Sequence, residues 1–347
     1  MIKISPDLWE SKYTGEFEAN ELSVKENKNI SVSEKIERKD GIMEPVSFDI
    51  NAYKSVNKVA FIDGVQRIDM HATIEDNGLP FQGIFSSSAA GYLTISPNSV
   101  NDINNCLADE MPILRRYFIH NDRNITKGNF KFNTTDEESG ALEYEYKYVR
   151  VKESKQMQLY ITEFMKEIEQ EIISSLVSKE DLNMIIADGS LSLQRMKKYP
   201  ETKAIVVGII KSIEELYVSN ENLSNLAKLK VGQRTPIFSI EYKDYGEEKY
   251  SFFVRLQTPM SFGSGFSNLA RIEMEPDITM SATAKADLIA STVLYFASGF
   301  NSDSRAPQNL YPVIALERIL KGRLGDIRLI KNRVIDTLTI GIADGRK

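Results

Sequence analysis

Three carboxylates stand out among the 49 Asp and Glu of this 347-residue chain because of where the apolar pattern puts them. Asp63 follows Val59-Ala-Phe-Ile62 and Asp188 follows Met184-Ile-Ile-Ala187, two short, wholly apolar runs, and each acid is followed by glycine. Such a run reads as a strand buried on both faces. Both acids are then expected at strand carboxyl ends, where sites form in sheets of this kind, with a glycine that admits a ligand to the backbone. The other reading of either pair is an ordinary Asp-Gly turn. Glu169 is selected by helical geometry within 156–177, which reads as the clearest helix. Met165 and Ile173 lie about 40° to its two sides and Ile172 and Leu176 within roughly 60°, whereas Glu167 and Glu171 point about 160° away. A carboxylate on a core-facing stripe is costly unless it is paired, protonated or bound to a cation. Glu169 is therefore a buried ion-pair or rim residue, or it is a ligand. Oxygen donors on three separate elements are what a hard divalent cation needs.

Elimination narrows the chemistry further. One cysteine, Cys106, and two histidines, His71 and His120, leave no Cys/His zinc cluster and almost no Cys–His or Ser–His pairing, so any metal is expected to be held by oxygen. Gly263-Ser-Gly265 lacks the third glycine of a dinucleotide site, and no Walker motif occurs. Among basic residues, Arg67 follows Asp63 by four positions, Lys211 closes the third apolar run (Ala204-Ile-Val-Val-Gly-Ile-Ile210), and Arg255 and Arg271 sit in strand-like segments. Each of these reads equally as an ion-pair partner or a phosphate ligand.

The elements that must position these groups follow from pattern and punctuation. Residues 1–57 are polar and read as an irregular N-terminal arm, with the charge-dense Glu34–Asp40 as a short amphipathic piece. Strands are expected at 59–62, 80–97, 184–187, 204–210, 250–256 and 269–274, a loop or hairpin at about 121–140, and helices at 156–177, 283–298 and 311–323. This order predicts an α/β or α+β fold with a mixed central sheet. Forty-two per cent hydrophobic residues suffice for a core, while 43 Lys+Arg against 49 Asp+Glu give a net charge of −6, which argues against coating nucleic acid with the whole surface. The N-terminus lacks the pattern of a secretory signal and no apolar run reaches membrane-spanning length, so the expectation is no membrane and a cytoplasmic location.

The order of motifs resembles the NurA nuclease family. It runs from Phe61-Ile-Asp63-Gly64 with Arg67, through Ile168-Glu169, Ile186-Ala-Asp188-Gly-Ser-Leu191, Val207-Gly-Ile-Ile-Lys211-Ser, Phe253-Val-Arg255-Leu and Arg271-Ile-Glu273, to Tyr311-Pro312 opening a helix. The resemblance implies an RNase H-like core flanked by helices in a domain over 58–347, with 1–57 as a separate arm. It also implies metal-dependent DNA hydrolysis at ends and single strands, in a homodimer docked on a HerA-type hexameric ATPase, in DNA end processing or defence against invading DNA. Carried across by position, Asp63, Glu169 and Asp188 are the catalytic acids and ligands of one or two Mn²⁺ or Mg²⁺ ions, and Arg67, Lys211 and Arg271 are the candidates for contacting DNA phosphates. One departure stands near the C-terminus: Ile319 occupies the place where the family commonly has His. That departure motivates a second expectation, a catalytically weak, nuclease-derived DNA-binding adaptor of an ATPase ring. An RNA-processing enzyme is a third, since nothing in the chain reads the 2′-hydroxyl.

Overall fold

The computed structural model of the protein describes residues 2–6, 30–97, 111–125, 129–132, 142–151, 154–191, 204–211, 216–244, 246–259, 265–276, 281–298 and 309–343. Cys106, Gly263 and most of the N-terminal arm lie outside these residues. The described strands are β1 (Ile2–Pro6), β2 (Ile30–Ser33), β3 (Val46–Ser47), β4 (Val59–Asp76), β5 (Leu79–Ile95), β6 (Ile113–His120) and β7 (Asn129–Phe132), then β8 (Leu142–Tyr148), β9 (Met184–Asp188), β10 (Ile205–Ile210), β11 (Gln233–Arg234), β12 (Phe238–Tyr242), β13 (Glu247–Arg255) and β14 (Leu269–Met274). The helices are α1 (Ser154–Leu176), α2 (Leu223–Ala227), α3 (Ala282–Phe296), α4 (Tyr311–Arg323) and α5 (Ile327–Ala343). All strands belong to one mixed sheet, in the order β2-β12-β13-β14-β10-β9-β4-β5-β6-β8-β7, with β1 paired to the far half of β4 and β11 joining β3 to β13. This is the mixed sheet flanked by helices that the sequence predicts. Among the described residues, no helix is long and apolar enough to cross a membrane.

At the centre, β4, β9 and β10 run parallel. Their alternating side chains fill two cores. Ala60, Ile62, Ile185, Ala187 and Val206 meet Ile168, Ile172, Ile173 and Leu176 of α1 on one face. Phe61, Ile186, Val207 and Ile209 meet Ile289 and Val293 of α3 and Leu316 and Leu320 of α4 on the other. With both faces covered, no position in these strands can be polar without losing burial worth about 1.5–3 kcal/mol. That is why the runs read as continuously apolar.

Three expectations need correction. Asp63 does not end its strand: β4 continues to Asp76, hydrogen-bonded to β5 along its length. Pairing with β9 stops at Ile62, so double burial stops there and the pattern changes, although the strand does not. The β4–β5 hairpin closes later, at Asn77-Gly78, where φ is 50° and 80°, as a two-residue hairpin turn of this kind requires. The described part of the N-terminal arm is not irregular, because β2 pairs with β12 and β3 with β11. Finally, α5 packs on β1 and β4 beyond the last expected helix.

Candidate active site

Asp63 shares the alternation of Val59 and Phe61, so its carboxylate emerges on the face covered by α3 and α4. It is only 6% exposed and accepts a hydrogen bond from the Gly64 amide at 2.9 Å. Gly64 is not a turn glycine here, since its backbone stays out of the left-handed region. Its function is to lack a side chain: a Cβ at this position would meet Glu169 Oε1 at 2.5 Å and Met165 Cγ at 2.8 Å. Through that gap Glu169, carried on the core-facing side of α1 and 8% exposed, reaches β4 from the opposite face.

Asp188 is the last residue of β9, and its neighbour Gly189 does turn the chain, with φ at 94°. The Asp188 carboxylate forms an ion pair with Lys211 Nζ at 2.6 Å, and the same ammonium, almost buried, donates to Asn309 Oδ1 at 2.9 Å.

The electrostatics tie the three acids together. Burial, then the charge of Asp188 and more weakly that of Glu317, pushes the Asp63 carboxyl up to about 7, against the pull of Lys211 and the Gly64 amide. Burial, then Asp63 and Asp188, pushes Glu169 up to about 8, with Lys166 opposing. Two buried carboxyls thus resist ionising beside a third acid, and the nearby ammonium groups do not offset their burial and mutual repulsion. In donor chemistry this suits a hard divalent cation. Among the described residues, no group of three or more His, Cys, Asp or Glu is placed to hold a metal. Lys211 occupies Asp188 instead.

The other three basic residues singled out by sequence are engaged by protein groups. Arg67 Nε pairs with buried Asp69 at 2.9 Å, and its other nitrogens donate to the carbonyls of Gly325 at 2.8 Å and Leu324 at 3.0 Å. Arg271 pairs with Glu273 at 3.3 Å and lies over the Tyr217 ring. Arg255 is fully buried and donates to the carbonyls of Leu229, Ala227, Gly265 and Ser267, which makes it a clamp between loops. Two further residues near the acids are not among those singled out by sequence. Glu317 of α4 faces Asp63. Glu273 of β14, conspicuous in sequence only as a neighbour of Arg271, binds the turn that follows Asp188.

The sequence matches the family model described as "NurA domain" over residues 58–319. No curated protein matches. Among solved structures, Marinitoga piezophila Argonaute, in complex with 5′ OH guide RNA and target DNA, is similar over 78% of this chain and 30% of its own, at 12% identity and a TM-score of 0.27.

Proposed function

The chain belongs to the NurA family, a family of nucleases, and from that premise we propose that it is a metal-dependent deoxyribonuclease that hydrolyses phosphodiester bonds at DNA ends and in single strands. The observation that supports the proposal is the mutual charge coupling of Asp63, Glu169 and Asp188, carried on β4, α1 and β9. These three carboxylates would hold the ion or ions. One or two bound Mn²⁺ or Mg²⁺ ions supply Lewis acidity toward the attacking water and the leaving oxygen.

The protein's own groups set up the rest. Burial of Asp63 and Glu169 excludes water from the pocket, and the Gly64 amide orients the Asp63 carboxylate. Lys211, beside Asp188, is placed to exchange its ion pair for a substrate phosphate. Arg67 and Arg271 contribute positive potential from behind their partners. The strand order β6-β5-β4-β9-β10 supports an RNase H-like core: an antiparallel meander whose first strand is followed by two parallel ones, with α1 crossing before β9. A net charge of −6 favours a DNA groove completed by other subunits, in keeping with a homodimer on a HerA-type hexameric ATPase.

The test is digestion of linear single-stranded DNA with Mn²⁺. Loss of a partner behind a metal ligand typically costs 10–100-fold, so Asp63→Asn and Asp188→Asn, which alter the ligands themselves, are expected to lose at least about a hundredfold. Parent-like rates in either variant would refute the assignment, and matched RNA strands digested in parallel decide the polymer. Ile319 and the Asp188–Lys211 pair favour the adaptor as the second reading. It predicts no Mn²⁺ binding by calorimetry together with firm association with the ATPase.

A further inference from the structure

We propose that Glu273 is the positioning residue for Asp188, holding the turn from Gly189 to Leu191 so that the acid stays at the mouth of the pocket. The inference rests on the nuclease reading and extends it to a residue on a different strand. Asp188 pairs with Ile209 of β10, and the chain then turns at Gly189, whose amide donates to the Ile209 carbonyl at 2.8 Å. From there the turn crosses β10 at Gly208, where a Cβ would meet the Gly189 carbonyl at 2.6 Å and Leu191 Cγ at 2.9 Å. Only glycine lets the turn lie this flat.

The residue paired with Gly208 on β14 is Glu273. Its carboxylate, fully buried, accepts hydrogen bonds from Ser190 Oγ at 2.8 Å and the Leu191 amide at 3.0 Å. Lys249 Nζ, at 3.3 Å from Glu273 and 3.0 Å from Ser190 Oγ, supports both groups. Arg271 binds the other carboxylate oxygen at 3.3 Å. Hydrogen bonds from an amide and a hydroxyl to a carboxylate are roughly twice as strong as bonds to a neutral acceptor. The two cations of β13 and β14 hold the Glu273 carboxylate from behind, Glu273 fixes the turn, and the turn fixes the last residue of β9.

The experiment compares the full-length parent with Glu273→Ala, Glu273→Gln and Ser190→Ala, measuring Mn²⁺ affinity by calorimetry and kcat and KM on single-stranded DNA. Glu273→Ala is expected to weaken Mn²⁺ binding and to lower kcat by roughly 10–100-fold, with KM moving less than about threefold. Glu273→Gln keeps an acceptor oxygen for the turn and should recover most of that loss. Ser190 is exposed, so its alanine variant is expected to fold and to test the turn without unfolding the sheet; a smaller loss of the same kind is expected. If Ser190→Ala is silent, or Glu273→Gln is as impaired as Glu273→Ala, the positioning role is wrong. Undiminished hydrolysis by Asp188→Asn would remove the nuclease reading itself. An inactive Asp188→Asn beside a fully active Glu273→Ala would remove only this inference.

Discussion

Asp63 and Glu169 hold protons in the folded protein at pH values where the unfolded chain has released them. Their folded values of about 7 and about 8 lie above the ordinary 3.8 and 4.5. The native state therefore binds more protons across the window from roughly pH 4 to pH 8, so stability is greatest at the acid end and falls as pH rises through it. A tenfold difference in proton affinity between the folded and unfolded chain is worth about 1.4 kcal/mol. With chelator present, the melting temperature should be lower near pH 8 than near pH 6, and Asp63→Asn should flatten the trend; a profile that rises over this window would contradict the assignment. Added Mn²⁺ should stabilise more at the alkaline end, where protons no longer compete for the oxygens. Glu169 is legible in the sequence because an acid on an apolar helical stripe stands out. The same test finds Glu317, about 40° from Val313 and 60° from Leu320 on the α4 wheel, although the family resemblance draws the eye to the nearby Ile319. Glu273 is not legible: nothing in a single strand reveals that a turn from another strand will land on it.

The two Asp-Gly pairs look identical in sequence and serve opposite purposes in their elements. Gly189 supplies a left-handed turn with open space around its missing side chain, while Gly64 sits in an extended strand pressed against α1. Strand β9 is readable because its pairing with β4 and its pairing with β10 stop within one residue of each other, at Ala187 and Asp188. Strand β4 is not, because its second half changes partners and, after the register shift between Ile68 and Met70, changes which residues are buried. The difference predicts different responses to alanine. Gly64→Ala should lose about 1–3 kcal/mol by crowding Glu169 and Met165, and adding Glu169→Ala should restore stability in urea without restoring hydrolysis. Gly189→Ala should lose stability through its backbone angle alone, so no second-site truncation should rescue it. Equal rescue of both glycine variants would mean that Gly64 is not the gap through which α1 delivers its acid.

At the scale of the whole molecule, the chain between β2 and β3 is tied to β11 and α3 by Arg234. This fully buried guanidinium pairs with Glu37 at 2.7 Å and Asp287 of α3 at 2.7 Å, while Glu37 also accepts from the Ile237 amide at 2.8 Å. The polar composition of residues 1–57 suggests an appendage because the few apolar side chains that do anchor it, Met43, Phe48 and Val56, are scattered without a period, and the ionic partners of Arg234 are some 200 and 50 positions distant along the chain. Burial pushes the Glu37 carboxyl up, but Arg234 and the Ile237 amide outweigh it and hold it below the usual range. A depressed carboxylate stabilises the fold above its unfolded value and is lost as pH falls through the folded one. This clamp therefore weakens in acid, the reverse of the acidic pocket. Arg234→Met leaves Glu37 without its buried partner, while the more exposed Asp287 keeps access to water, and is expected to cost about 3 kcal/mol, the lower end for a broken buried pair. Because Arg234 touches none of the three acids, hydrolysis per folded molecule should stay within about twofold of the parent, smaller than the tenfold lower limit for a residue supporting a metal ligand. Denaturant melts read beside active-site-normalised rates on the same samples decide it: a large fall in kcat without a fall in stability would mean that the N-terminal segment takes part in the reaction and does not merely brace the sheet.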